Sequence, residues 1–191
     1  RLIQPGIVAL VGAGGKTTVL SKLVEYGRLQ GQPIVVTTTT HLYESQVAQY
    51  EPIYTKNIND VDEYCTKRIQ QGYCGAWFNG ITRTKVDAVD CESIDGLSAL
   101  HPNWQIVVEA DGAKEKWLKA PKHTEPVIPS QTKTTIGVVN LQMLGASLDE
   151  DHVHNLELVQ SIVHREEGAI VTPHMLAQIV IHKQGLFQYS K

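Results

Sequence analysis

Short apolar stretches alternate with amphipathic segments along this chain. Ile7–Val11 is apolar at every position, as in a strand buried on both faces, and Thr17–Gln30 then repeats apolar residues at the helical period. A second apolar stretch begins at Ile34, after the turn-forming residues Gly31 and Pro33. Strands that are apolar on both faces and alternate with helices predict an α/β fold, with a mostly parallel sheet flanked by helices.

The same alternation continues to the end of the chain. Further strands are predicted at Gly75–Ile81, Ile106–Val108 and Thr135–Val139. Further helices are predicted after a cap at Asn59 or Asp60, over Val153–Val163, and from the capping Thr172 and Pro173 onward. We expect one nucleotide-binding domain over residues 1–191. Because the last seven residues form no convincing element, we also expect that a C-terminal portion is missing.

Composition and charge narrow the class of protein. Hydrophobic residues make up 42% of the chain and charged residues 19%, which is typical of a globular protein. The net charge of −3 gives no basic footprint for a nucleic-acid partner. The three cysteines, at 65, 74 and 91, show no C-x-x-C spacing, which argues against a zinc ribbon or a disulfide scaffold. Since no apolar stretch is long enough to span a bilayer, we expect a cytoplasmic protein with no membrane partner.

A glycine-rich stretch between the first strand and the first helix is the strongest chemical signal. It fits a shortened phosphate loop, G-x-x-G-K-T, that starts at Gly12, because Leu10 stands where the longer motif has its first glycine. Lys16 is predicted to stabilise charge on the outer phosphates as a catalytic residue, and the Thr17 hydroxyl to ligate Mg²⁺. The residues predicted to bind the nucleotide are Gly12, Ala13, Gly14, Gly15, Lys16, Thr17 and Thr18.

Two other interpretations of this stretch are open. Gly12 and Gly14 begin the dinucleotide-binding pattern G-x-G-x-x-G, but Thr17 occupies the place of its third glycine. The stretch could also be a plain strand-to-helix turn with an exposed lysine. A lysine and a threonine at the start of a helix suit free terminal phosphates and a metal ion better than either alternative.

Two carboxylates follow the apolar residues Val107 and Val108. Glu109 and Asp111 occupy alternate positions, so both would point to the same side if the strand continued that far. We predict that they hold Mg²⁺ together with Thr17, and that Asp111 is a candidate to orient the attacking water or hydroxyl group. The sequence leaves open which acid contacts the metal; Glu109 is the first choice.

Two polar segments are candidates for binding a substrate. Thr38, Thr39, Thr40 and His41 follow the second strand, where they either meet substrate or simply end the strand in a turn. Residues 114–129 contain three prolines and several cationic side chains, so this segment either covers an anionic ligand or crosses the surface. Its candidate substrate-binding residues are Lys119, Lys122 and His123.

Two further patterns carry less weight. Thr84–Asp87 fits the T-K-x-D form of a guanine-binding motif but precedes the acidic strand, whereas GTPases place that motif after it. His152 and His154 are predicted at the head of a helix, where a spacing of two does not bring both rings to one face. Neither pattern is taken as a site.

The combination of motifs resembles a known family. V-G-A-G-G-K-T-T, T-T-T-T-H, V-V-E-A-D-G-A-K and K-A-P-x-H-x-E-P-V-I-P, in this order, are similar to the selenium-dependent hydroxylase accessory proteins, the YqeC-like family. The resemblance covers nearly the whole chain, although Asn155 stands where an arginine is more usual. It implies a P-loop NTPase-like fold, a role in the maturation of selenium-dependent molybdenum hydroxylases, and such a hydroxylase or its cofactor-handling proteins as partner.

The motifs and the resemblance together predict an Mg²⁺-dependent protein that binds ATP or GTP. The leading hypothesis is a slow NTPase or a nucleotide-dependent transferase. A non-catalytic adaptor gated by nucleotide and a small-molecule kinase are the alternatives.

Overall fold

The computed structural model of the chain describes residues 4–190, whose strands and helices follow the predicted alternation. The strands are β1 (Gly6–Gly12), β2 (Ile34–Thr38), β3 (Leu42–Tyr43), β4 (Ile53–Tyr54), β5 (Gly75–Phe78), β6 (Gly80–Thr82), β7 (Lys85–Asp87), β8 (Gln105–Glu109), β9 (Leu118–Lys119), β10 (Thr132–Val138) and β11 (Val153–His154). The helices are α1 (Lys16–Leu29), α2 (Glu44–Val47), α3 (Ile58–Gln70), α4 (Cys91–Leu100), α5 (Leu156–Val163) and α6 (Pro173–Ile181). Short 3₁₀ helices occupy Ala48–Tyr50 and Leu141–Met143.

Six of these strands form one parallel sheet in the order β10-β1-β8-β2-β5-β4, and helices flank it. In its centre, β2 runs beside β8 with Thr38 opposite Glu109, so both strands end at the same edge. This architecture confirms the predicted α/β fold and is the one expected of a P-loop NTPase-like sandwich. No helix within residues 4–190 combines the length and the apolar character needed to cross a bilayer.

The chain divides into two compact units, with boundaries inside β1 and β10. The first unit comprises the described residues up to Ala9 together with Thr17–Ala110 and Val127–Thr134. Its strands β2, β5 and β8 are fully buried, because apolar residues face both sides of the sheet. The unit also contains a small antiparallel sheet in the order β3-β7-β6. That the chain forms a single domain stays a prediction.

The second unit comprises Leu10–Lys16, Asp111–Pro126 and the described residues from Thr135 onward. Its core joins buried apolar residues of α5 and α6 to the parallel pair β9–β11. The segment after α6 is part of this unit: Leu186 is buried and its N–H donates to the Ile179 carbonyl at 2.9 Å.

Three predicted elements differ from the structure. The helix expected after Asn59 or Asp60 begins at Ile58, because Asn57 is the cap and its side chain accepts a hydrogen bond from the Asn59 N–H at 3.1 Å. The predicted strand Gly75–Ile81 is divided between β5 and β6.

The third difference concerns the helix predicted over Val153–Val163. Val153 and His154 form β11 beside Leu118 and Lys119, and the helix begins only at Leu156. Asn155 lies between strand and helix with a φ of +60°, a left-handed conformation that no helical residue adopts. His154 is therefore a strand residue rather than the head of a helix. By contrast, α6 begins as predicted, with Thr172 as its cap and Pro173 at its first position.

Candidate phosphate-binding site

The glycine-rich stretch connects the carboxyl end of β1 to the start of α1. Gly12, Gly14 and Gly15 have φ values of +102°, +68° and +125°, in the region that side chains disfavour. Ala13 fixes the turn because its N–H donates to the Val138 carbonyl at 3.2 Å. The predicted glycines are thus required by the backbone path of a tight strand-to-helix turn.

The turn has a closed side and an open side. A Cβ atom on Gly12 would lie 2.2 Å from the Val138 carbonyl oxygen, and one on Gly14 would lie 2.5 Å from the Asn140 Cβ. A Cβ atom on Gly15 would meet only a methyl group of Val138, at 3.7 Å. Since Gly15 is also exposed, a ligand has room to approach the turn on its side.

Lys16 is buried although it carries a charge, with 5% of its surface exposed. Its Nζ donates to the Gly12 carbonyl at 2.7 Å, so the side chain folds back over the turn. Lys16 is also the first residue of α1, a helix of 14 residues. The first N–H groups of a helix lack partners within it and carry the positive end of its dipole, which favours an anion beside this lysine.

Thr17 is half-buried and Thr18 is exposed in the first turn of α1. The Thr17 hydroxyl oxygen lies 3.4 Å from Gln46 Nε2, which donates to it. Gln46 is held in place because its Oε1 accepts a hydrogen bond from the Tyr43 N–H at 3.0 Å. No sequence pattern points to Gln46, since α2 has only four residues and no helical periodicity.

Glu109 is the last residue of β8 and is 5% exposed. Its carbonyl accepts hydrogen bonds from the Thr38 hydroxyl at 2.8 Å and from the Thr39 N–H at 3.2 Å. The strand ends here, so the condition for Glu109 and Asp111 to share one strand face is not met.

Asp111 is 2% exposed and both of its oxygens accept hydrogen bonds. Oδ2 accepts from the Gly12 N–H at 3.1 Å, and Oδ1 accepts from the Lys119 ammonium group. Burial raises the pKa of Asp111 above its ordinary value, against the opposing effect of the Lys119 charge. The carboxylate predicted to bind metal thus contacts the first glycine of the turn.

Lys119 belongs to the same buried cluster and its side chain has no exposed surface. Besides Asp111, Nζ donates to the Gly112 carbonyl at 2.7 Å and to Glu125 Oε2 at 2.9 Å. Burial raises the pKa of Glu125, but the hydrogen bond and charge of Lys119 outweigh it and hold that pKa below its ordinary value. All three N–H groups of Lys119 are donated, so binding a substrate through them would require breaking one of these bonds.

Lys122 and His123 have exposed side chains, while their backbone is fixed by the C-terminal segment. Gln188 Nε2 donates to the Lys122 carbonyl at 2.7 Å, and the Tyr189 hydroxyl donates to the His123 carbonyl at 2.7 Å. These two residues are therefore accessible on an ordered backbone, and substrate binding by them stays a prediction.

The threonines at the end of β2 and just after it have mainly structural partners. The Thr38 hydroxyl donates to the Glu109 carbonyl, and the Thr39 hydroxyl donates to the Val127 carbonyl at 2.6 Å. Thr40 is half-buried, whereas the side chain of His41 is 64% exposed. If this segment simply ends the strand in a turn, the buried hydroxyl groups of Thr38 and Thr39 are explained by their backbone partners. A substrate contact at Thr40 or His41 stays a prediction.

His154 lies beside Lys119 in the paired strands β9 and β11 and is half-buried. Burial, followed by the charges of Lys119 and Lys114, lowers the pKa of His154 to about 4; Glu125 opposes this shift and Lys122 adds to it. The imidazole is therefore neutral at pH 7.

This shift predicts that acid destabilises the fold through His154. Because the unfolded chain binds the proton near pH 6.5 and the folded chain only near pH 4, stability falls as the pH drops between these values. The loss is about 2 kcal/mol after allowance for the exposed part of the ring. Urea unfolding at pH 7.5 and pH 4.5 should show that His154→Gln removes this part of the pH dependence. His174 is exposed, so His174→Gln should leave the pH dependence of stability unchanged. If both variants lose the same amount of stability between pH 7.5 and pH 4.5, the assignment of this effect to His154 is contradicted.

Comparison with known proteins bears out the family resemblance. The sequence model of the family described as YqeC protein matches residues 8–157. The chain is also 29% identical over 186 residues to "Uncharacterized protein YqeC" of Escherichia coli (strain K12), a match that covers 97% of this chain and 71% of that protein. No solved structure matches the chain.

Proposed function

We propose that this chain, which belongs to the YqeC family, binds ATP or GTP with Mg²⁺ at residues 12–17 and turns the nucleotide over slowly, by hydrolysis or by group transfer. One observation carries the proposal: a turn of three positive-φ glycines leads into a helix whose first residue is a buried lysine folded over that turn. Such a turn presents backbone N–H groups and a cation to the same ligand, which suits a polyphosphate.

Lys16 would exchange its partner when phosphate binds. In the ligand-free chain its Nζ donates to the uncharged Gly12 carbonyl. Hydrogen bonds from an ammonium group to an anionic oxygen are about twice as strong as those between neutral groups, so a phosphate oxygen is the better acceptor. The lysine would then stabilise negative charge on the phosphoryl group during its transfer.

Thr17 in the first turn of α1 and Glu109 at the end of β8 carry the oxygen ligands that Mg²⁺ prefers. Thr17 offers a half-buried hydroxyl oxygen and Glu109 a buried carboxylate at the end of β8. When bound, Mg²⁺ would neutralise charge on the phosphate oxygens. Gln46 donates to the Thr17 hydroxyl, an arrangement that orients the oxygen without occupying all of its lone pairs.

A nucleotide-gated adaptor is the second candidate, and the contacts of Asp111 favour it. Both oxygens of this carboxylate are engaged, by the Gly12 N–H and by Lys119. The side chain is also only 2% exposed, so an attacking water or hydroxyl group has little access to its remaining lone pairs. Tight binding without turnover is the behaviour expected if Asp111 stays closed off in this way.

The proposed partner is a selenium-dependent molybdenum hydroxylase or a protein that handles its cofactor. The family resemblance supports this proposal, because it implies a role in the maturation of such hydroxylases. The negative net charge gives no support to a nucleic-acid partner.

The test is a thermal unfolding series with Mg²⁺ and ATP, GTP or pyrophosphate, combined with an assay for released phosphate. Ligand at one hundred times its Kd adds about 2.7 kcal/mol to stability, and each kcal/mol raises Tm by roughly 2–4 °C at this size. We expect a rise of about 5–10 °C with slow phosphate release. A rise without release favours the adaptor, and no rise with any of the three ligands contradicts the proposal.

A further inference from the structure

We infer that the buried pair Asp111–Lys119 is a positioning device, which holds the phosphate loop in its binding form through the N–H of Gly12. This inference rests on the proposed function, since it concerns how the same loop is kept ready for a polyphosphate. In this role Lys119 supports the loop through Asp111 and does not bind a substrate. Asp111 holds the N–H of Gly12 and need not contact a metal ion. Asp111 accepts from Gly12 at 3.1 Å, and less than 3% of either side chain of the pair is exposed.

Gly12 is held at both of its polar backbone groups. Its N–H donates to Asp111 Oδ2, and its carbonyl accepts from Lys16 Nζ at 2.7 Å. When Lys16 turns towards a phosphate oxygen, the bond to the carbonyl is lost. The bond to Asp111 does not depend on Lys16, so it keeps Gly12 at its φ of +102° during the exchange. The loop amides then need no reordering on binding, which strengthens affinity.

The chemistry of the position requires a carboxylate. Both groups that face Asp111 are donors: a backbone N–H on one side and an ammonium group on the other. A carboxylate accepts on both oxygens, whereas an asparagine has one accepting oxygen and one donating NH₂ group. In an Asp111→Asn variant the NH₂ group must face either Gly12 or Lys119, so one buried donor loses its acceptor.

Lys119 in turn is fixed from three directions. Its Nζ donates to Asp111, to the Gly112 carbonyl and to Glu125 Oε2. The Glu125 carbonyl accepts from Gln188 Nε2 at 2.6 Å, which connects this cluster to the C-terminal segment. A lysine with no freedom of its own gives Asp111 a fixed orientation towards the loop.

The experiment compares the affinity for Mg²⁺-pyrophosphate, measured by titration calorimetry, with stability in urea. Asp111→Asn should weaken pyrophosphate binding at least about tenfold, the usual effect of losing a hydrogen bond to a charged group. The double variant Asp111→Asn/Lys119→Met should restore most of the affinity, because without the ammonium group the asparagine oxygen is free to accept from Gly12. The matched control is Glu51→Gln, which removes the negative charge from the Glu51–Arg68 pair of the first unit and should leave the affinity unchanged.

A spectroscopic readout follows the contact itself. The Gly12 amide proton of the ligand-free chain should resonate downfield because it donates to a carboxylate, should move upfield in Asp111→Asn, and should return in part in the double variant. If Asp111→Asn does not fold, the double variant decides: a folded protein that keeps most of the wild-type affinity for pyrophosphate supports the inference, and a folded protein whose affinity is about tenfold weaker or more overturns it.

The outcomes separate this inference from the proposed function. Wild-type binding together with unchanged affinity in Asp111→Asn would overturn the positioning role and leave the phosphate site intact. A wild-type chain that does not bind pyrophosphate would overturn both.

Discussion

Lys16→Ala is expected to abolish nucleotide turnover and to weaken nucleotide binding by about a hundredfold or more. The substitution removes the buried cation that folds over the loop, and with it charge-assisted hydrogen bonds of about 1.5–3 kcal/mol each. Calorimetry with Mg²⁺-ATP or Mg²⁺-GTP measures the binding, and a phosphate assay measures the turnover.

Lys22→Ala is the matched control for Lys16→Ala. Lys22 lies on the same helix but is exposed, and its Nζ contacts Glu25 at 2.7 Å. An exposed pair of this kind contributes little to stability, and we expect both binding and turnover to survive. Turnover in Lys16→Ala equal to that of the control would rule out a role for the loop lysine.

Gly12→Ala is expected to have the largest effect on folding. A methyl group here would lie 2.2 Å from the Val138 carbonyl oxygen and 2.8 Å from Leu186 Cδ1, on a backbone with a φ of +102°. Backbone strain of 1–3 kcal/mol and overpacking of similar size add to a loss of about 3 kcal/mol or more. That loss corresponds to a fall in Tm of roughly 6–12 °C, measured by calorimetry or circular dichroism.

Gly31→Ala is the control that introduces backbone strain without a steric clash. Gly31 also has a positive φ, of +68°, but nothing lies within 4 Å of the position that its Cβ would take. This variant should lose only about 1–2 kcal/mol, the cost of a left-handed conformation for an L-residue. If Gly12→Ala unfolds at the same temperature as Gly31→Ala, the expected steric clash between a methyl group at residue 12 and the Val138 carbonyl is contradicted.

The strand-to-helix turn at residues 12–17 was predictable because its signals are local. The glycines, the lysine and the threonine lie within six consecutive positions, and the flanking strand and helix follow from the periodicity of the apolar residues. The start of α6 was predictable for the same reason, since Thr172 and Pro173 are adjacent.

Contacts between distant parts of the chain were not predictable. Asp111 meets Gly12 across 99 positions, and Gln46 meets Thr17 across 29. Such pairs depend on the order of the strands and on where each strand ends. The end of β8 at Glu109, rather than at Asp111, changed the expected arrangement of the two carboxylates.

Residue type alone also did not separate structure from function. Thr38 and Lys119 suit a binding site as well as a structural one, because the same donors serve a ligand or a backbone carbonyl. In the structure, Thr38 donates to the Glu109 carbonyl and Lys119 to Asp111, Gly112 and Glu125.

A crystal structure of the chain with Mg²⁺ and a non-hydrolysable ATP or GTP analogue tests the central proposal most directly. We predict terminal phosphate oxygens against the backbone N–H groups of Gly14 and Gly15, with Lys16 Nζ moved from the Gly12 carbonyl to a phosphate oxygen. Nucleotide bound elsewhere, with Lys16 still on the Gly12 carbonyl, would contradict it.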